Sequence, residues 1–448
     1  MFLFRPSLLR ALPGVVAASL VALPAGADLL ATGVPGLPER VEALVAEALD
    51  KSPALAAARA EISAARERVA PAGALPDPML SLSYENDGAS ISLGVEPMTR
   101  LSLMAEQPIP WPGRLGARAK LAAADAEVVE VRLARVRLSV EAAVRRAAAR
   151  LLEARALQAV TRGQGETWQR IEAVARNRYA AGMGMQQDVL RAQAERTRLL
   201  QQARRDETAE RVALAELRRL LQRAPAEPVL LSGDLADVLP VAPDAGAQRA
   251  RAEEESPELA LVRRAAARET LAIDLARRDG SPDLVASAGY MNRGSLPLMW
   301  AVGLGVSVPI FSSRKQEPRV REAEARLASA RAAESDLRTR LMARTEERLA
   351  LLDQLAEEAR LDRESLLVQD RLAVEAALAS YGTGTVPFVT VLEAIGTEFS
   401  DRRAALARLA GFRTAQADLF ELSLEGAAAM NLTAVPAAPA AMNAAGAM

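Results

Sequence analysis

Apolar positions along this chain follow two periods, and each period occurs twice. Between residues 113 and 180, Leu133, Val136, Val140, Val144, Ala147 and Leu151 recur at helical spacing. No proline interrupts residues 113–224, 319–386 or 388–435, which predicts very long helices in all three stretches. As one helix, residues 113–180 would reach about 100 Å at ~1.5 Å per residue. Gly163 and Gly165 form its weak point and predict a kink or a register change there.

The second period is two. Trp300, Val302, Leu304, Val306 and Val308 alternate with Ala301, Gly303, Gly305 and Ser307. Leu284, Ala286, Ala288 and Tyr290 oppose Val285, Ser287 and Gly289, while Leu80, Leu82 and Tyr84 oppose Ser81 and Ser83. Near residues 99–107, Leu101, Leu103 and Ala105 oppose Arg100, Ser102, Met104 and Glu106. One apolar and one small or polar face suit a strand with lipid outside and water inside, with Tyr84, Tyr290 and Trp300 as interfacial aromatics. A half-buried soluble sheet would give the same alternation. Four strands do not close a membrane barrel, so a barrel requires several chains.

These elements belong to a tandem repeat. Ser52-Pro53 and Leu55 recur as Ser256-Pro257 and Leu259, at an offset of 204. Pro76-Asp77 and Tyr84 recur as Pro282-Asp283 and Tyr290, at 206; Pro108-Ile109 recurs as Pro309-Ile310, at 201. Tyr179, Gly182, Val189 and Leu190 recur as Tyr381, Gly384, Val391 and Leu392, at 202. An ordered set at near-constant spacing indicates a duplicated unit. Each unit opens a helix at Ser-Pro, with serine as N-cap and proline at the first helical position. Two strands follow, then a long helical hairpin turning at Tyr-x-x-Gly. The expected boundaries are 28–245 and 246–428 for the repeats, with a weakly ordered Ala/Pro/Met-rich tail at 429–448.

Composition narrows the class. Aromatics make up 3% of 448 residues, which favours helices packed through small side chains. Arg5 and Arg10 precede an apolar run ending at Ala25-Gly26-Ala27, the pattern of a cleaved export signal over residues 1–27. Removing those two arginines from 56 basic residues against 57 acidic leaves a net charge of −3, with no basic excess for nucleic acid. The chain has no cysteine and no histidine, hence no disulfide, none of the usual zinc ligands and no common general base. No phosphate-binding loop or nucleophile elbow occurs. An enzyme is not expected, nor is a cofactor. Twelve methionines allow soft-metal chemistry, but packing accounts for them equally well.

The segments LPDPMLSLSYEN, QPIPWPGRLGARAKLAAADAE, RYAAGMGMQQDVLRAQAE, VSVPIFSSRKQEPRVREAEARL and YGTGTVPFVTVLEAIG carry a resemblance to the TolC-like outer membrane efflux proteins. It spans roughly residues 40–428. The fold implied is mostly α with a small β part, in tandem helical hairpins. It implies a homotrimer sharing a twelve-stranded outer-membrane barrel, continued by a periplasmic helical tunnel. The implied partners are a periplasmic adaptor protein, an inner-membrane transporter of the RND type and outer-membrane lipid. The Tyr-x-x-Gly phrases become the periplasmic turns, with Gly182, Met183, Gly384 and Thr385 as adaptor contacts. Glycine in a tight turn also needs no partner. The resemblance places the tunnel constriction at the same end, with Glu393 on an acidic position and Asp188 on the corresponding site of the first unit. Another commonly acidic position holds Thr390. Tyr381 keeps the family's aromatic, whereas its basic partner position is Val386, a departure that puts the family's gating network in question. LPDPMLSLSYEN, EPMT and QPIPWPG resemble the heavy-metal efflux branch more than the drug or protein-export (type I secretion) branches. A secreted structural coiled coil would account for the helices but not for the duplicated strands.

Overall fold

The computed structural model describes residues 40–89, 91–93, 96–235 and 239–422. The expected signal segment 1–27, the tail 429–448 and the end of the second repeat past residue 422 lie outside the described residues.

The first repeat runs α1 (Val41–Lys51), α2 (Pro53–Glu67), a short α3 (Val69–Gly73), β1 (Met79–Glu85), β2 (Arg100–Ile109), α4 (Arg114–Ala180) and α5 (Gln186–Leu221). The second runs α6 (Ala245–Glu255), α7 (Pro257–Arg278), β3 (Asp283–Asn292), β4 (Met299–Ser307) and α8 (Ser312–Leu361). A π-helical turn (Asp362–Leu366), α9 (Leu367–Thr383) and α10 (Phe388–Glu421) complete it. Each repeat opens with a helix before the expected Ser-Pro start, α1 in the first and α6 in the second, and the first adds the short α3 before its strands. Ser52 and Ser256 cap as their positions predict, each Oγ accepting the amide three residues on at 3.4 Å, with proline following.

α4 is the predicted long helix, 67 residues without a break. Its hydrogen bonding passes straight through Gly163 and Gly165, so the expected interruption is absent from the first repeat. It occurs in the second instead, as the π turn at Asp362–Leu366. A π turn inserts one residue into an α-helix. The repeat offset grows by that one residue, from 201 at Pro108/Pro309 to 202 at Tyr179/Tyr381.

Alanines let the helices approach closely. α4 buries Ala142, Ala147, Ala148, Ala149 and Ala154, and Leu44, Val144, Leu151, Leu217 and Leu221 form a core with Ala147 and Ala148 between α1, α4 and α5. Each of those leucines contributes roughly 1.5–3 kcal/mol by leaving water. Near the hairpin turns a second core gathers Trp168, Ile171, Ala192, Tyr381, Phe388, Val391 and Ile395.

The four strands form one antiparallel sheet in chain order, β1-β2-β3-β4. Its register lines up Leu82, Leu103, Tyr290 and Trp300 as direct neighbours across all four strands. The next row is Leu80, Ala105, Ala288 and Val302. Both rows lie on the same face. That face is open to solvent in the single chain: Trp300 is 77% exposed, Val302 72% and Leu304 83%. Tyr84 and Tyr290 are also exposed on it. The opposite face carries Ser81, Ser83, Ser102, Ser287, Gly289, Ala301 and Gly303. β1 and β4 each leave one edge unpaired. An apolar face of this size beside two open edges is an association surface in any solvent but lipid.

Candidate functional site

The two hairpin turns, 202 residues apart, have one construction. Helix α4 ends with Met183 N donating to Arg178 O at 2.9 Å and Gly182 N to Tyr179 O at 3.0 Å. Helix α9 ends with Thr385 N donating to Ser380 O and Gly384 N to Tyr381 O, both at 3.0 Å. This double bond with a left-handed residue terminates a helix, and Gly182 (φ 70°) and Gly384 (φ 81°) supply that residue. Gly182, Met183, Gly384 and Thr385 are exposed, Met183 by 69%. Helix termination alone explains the two glycines; the exposed Met183 side chain has no such explanation.

The shared turn also fixes which residues correspond. At an offset of 202, Asp188 is matched by Thr390 and Glu393 by Arg191, which corrects the pairing of Asp188 with Glu393. Their settings differ. Asp188 is buried, and the Tyr381 hydroxyl donates to its carboxylate at 3.4 Å. Thr390 is half-buried. Glu393 is exposed and has no ion-pair partner among the described residues.

Tyr381 is 5% exposed, its ring 5.3 Å from that of Phe388. Burial raises its hydroxyl pKa, and the Asp188 charge raises it further. The repeat-related Tyr179 is 48% exposed instead. Tyr381 packs in the core with Trp168, Phe388 and Val391, whereas the first turn has Gln186 at the position of Phe388, and the residue before the tyrosine is Arg178 in one turn and Ser380 in the other. Arg178 lies over the Tyr381 ring at 4.7 Å and donates to the Tyr381 carbonyl, to Gly382 O at 3.2 Å and to Met183 O at 3.2 Å. The second hairpin's aromatic therefore has a basic partner after all, taken from the first hairpin rather than from position 386. The sequence held one signal of this: Arg178 is a charged residue at a position where its repeat mate is serine.

Farther along the helices, Asp206 joins α4, α5 and α10. It accepts from both Arg403 nitrogens at 2.8 and 2.9 Å, from Thr161 at 2.6 Å and from Gln202 at 2.9 Å. Burial alone would raise its pKa; the hydrogen bonds from Arg403, Thr161 and Gln202 outweigh burial and hold it below the ordinary carboxylate value. Among the described residues, no group of three or more acidic, histidine or cysteine side chains could hold a metal ion. Nor is any described helix long and apolar enough to cross a membrane.

This architecture has known relatives. The outer-membrane channel VceC of Vibrio cholerae matches with a TM-score of 0.70 at 19% identity, over 86% of this chain and 95% of that one. The open-state MtrE outer membrane channel of Neisseria gonorrhoeae matches at 0.71 and 17% identity, over 86% and 89%. CusC, whose structures concern folding and transmembrane channel formation, matches at 0.74 and 18%, over 87% and 93%. No curated protein sequence matches significantly. The model of the outer membrane efflux protein family matches residues 44–223 and 249–423, most of the chain. The chain belongs to the outer membrane efflux protein family, whose members are channels rather than enzymes.

Proposed function

We propose that three copies of this chain form the outer-membrane exit duct of an efflux system. Each copy contributes its four strands to a twelve-stranded barrel, and the hairpins continue the barrel as a periplasmic tunnel. One observation carries this reading: an open-edged sheet with a solvent-exposed apolar face, from Leu82 through Leu103 and Tyr290 to Trp300, sits at one end of very long helices. Lipid satisfies that face and neighbouring copies satisfy the edges. Tyr84, Tyr290 and Trp300 then serve as interfacial anchors.

At the other end, the turns dock a periplasmic adaptor through Gly182, Met183, Gly384 and Thr385, coupling the duct to an inner-membrane transporter of the RND type. Asp188, Tyr381, Thr390 and Glu393 surround the constriction. The cargo is heavy-metal cations, a reading supported by the sequence resemblance in LPDPMLSLSYEN, EPMT and QPIPWPG. Selection belongs to the transporter, so the duct itself needs no metal ligands.

Growth of a deletion strain, with complementation, across copper, silver, zinc, cobalt and cadmium beside hydrophobic drugs tests the cargo. Sensitivity confined to metals is expected. Sensitivity confined to drugs overturns the cargo while leaving the duct. Failure of the protein to reach the outer membrane as a detergent-requiring trimer overturns the duct itself.

A further inference from the structure

The junction between sheet and helices is bolted inside the chain by one arginine. Arg114, in the first turn of α4, is 4% exposed. Its guanidinium donates to Arg278 O at 3.0 Å, to Ser281 O at 2.6 Å and to the Asp283 carboxylate. Trp111 N reaches the same carboxylate at 3.1 Å. The start of one repeat's long helix is thereby tied to the point where the next repeat's α7 passes into β3. Gly113 holds the approach open, since a side chain there would meet Arg278 at 2.7 Å on a left-handed backbone (φ 87°).

Duplication writes the same parts again, but the chain leaves them apart. Asp77 is the repeat mate of Asp283, through Pro76-Asp77 and Pro282-Asp283. The first turn of α8 carries Arg314 and Lys315 where that of α4 carries Arg114. Asp77, Arg314 and Lys315 are all exposed, and none of their side chains has a partner among the described residues. The helices repeat the asymmetry. α7 packs against both α4 and α8, whereas α2 packs along α4 and has no comparable contact with α8. In the sheet, β2 pairs with β3 within the chain, while β4 and β1 keep open edges.

We infer that each pair of neighbouring copies completes a second bolt, in which Arg314 and Lys315 of one copy hold Asp77 of the next. The occupant of the α2–β1 face is therefore the β4–α8 junction of another copy, placed as α4 sits on α7. This rests on the trimeric reading above and adds the residues that set its register. Once enclosed as Arg114 is, such a pair is costly to break, because removing one partner leaves the other charge buried and uncompensated.

The chain has no cysteine, so paired cysteines report on this contact alone. D77C combined with R314C, and D77C combined with K315C, are purified as the full chain in detergent and treated with a short bismaleimide. The expected result is covalent dimer and trimer from at least one pair, and from neither D77C nor the α8 variants singly. A trimer by native mass that yields no cross-link from either pair overturns the bolt and leaves the duct standing. Absence of a trimer in the unaltered chain overturns the reading beneath it. As a second measurement, D77R and the double variant R314E/K315E each lower the SDS resistance of the trimer, and combining them restores it; lack of restoration argues against direct pairing.

Discussion

The Arg178 guanidinium lies over the Tyr381 ring, 4.7 Å from its centroid, and ties the turn of the first hairpin to that of the second. The same side chain bonds carbonyl groups of both turns, at Gly382 and Met183. Two turns that end their helices alike are thus unequal in what they hold.

R178A frees those carbonyls to water and removes the cation from the ring. A hydrogen bond from a charged donor contributes about 1.5–3 kcal/mol, so losing these bonds loosens the tips. Faster amide exchange at residues 179–185 and 381–385, together with larger single-channel conductance, is expected in planar bilayers. Unchanged exchange at both turns would mean that the helix caps alone set tip rigidity.

Asp206 gives stability a pH dependence. Its folded-state pKa lies below the ordinary value, so its contribution is complete above about pH 4 and is lost as pH falls through the folded value. D206N leaves Arg403 partly buried without its charge partner and costs about 3 kcal/mol near neutrality. Thermal melts at stepped pH should show the gap between the variant and the unaltered protein closing below pH 4. A constant gap would assign the loss to packing.

The sheet's two faces predict opposite tolerances. V302R places a charge on the exposed apolar face and costs about 2–4 kcal/mol if that position sits at the bilayer midplane. A301S, on the small face, should be nearly neutral. Urea titration of folding into lipid vesicles separates the two. Equal behaviour would deny the face its lipid contact.

Glu393, exposed and unpaired, sets a charge that can be reversed. In the proposed trimer three such carboxylates around the constriction would favour cations, so E393K should shift the reversal potential in a salt gradient toward anion selectivity. No shift would move the constriction away from this helix face.

The repeat, the long helices and the alternating strands were all legible in the chain because each follows from a local period. A helix of 67 residues needs only apolar spacing and freedom from proline, and the residues from Leu133 to Leu151 supply it. The Ser-Pro caps and the turn glycines were legible for the same reason: each acts on its own backbone within a few residues. Local pattern failed where two alternatives had equal local cost. The glycines at 163 and 165 marked the right part of the hairpin but the wrong copy, since α4 stays α-helical through them and the irregularity is the π turn at Asp362–Leu366. Asp206 and Arg114 were invisible for a different reason, and Arg178 showed only as a charge that its repeat mate Ser380 lacks. Their partners lie 197, 169 and 203 residues away, and an arginine bonded across such a distance looks, in sequence, like any other on a solvated face. The sequence by itself determined the elements and their duplication. Only the tertiary structure decided which copy of each charged residue is buried and paired, because that depends on the neighbours the fold delivers, and duplication delivers them to one copy inside the chain and to the other at its edge.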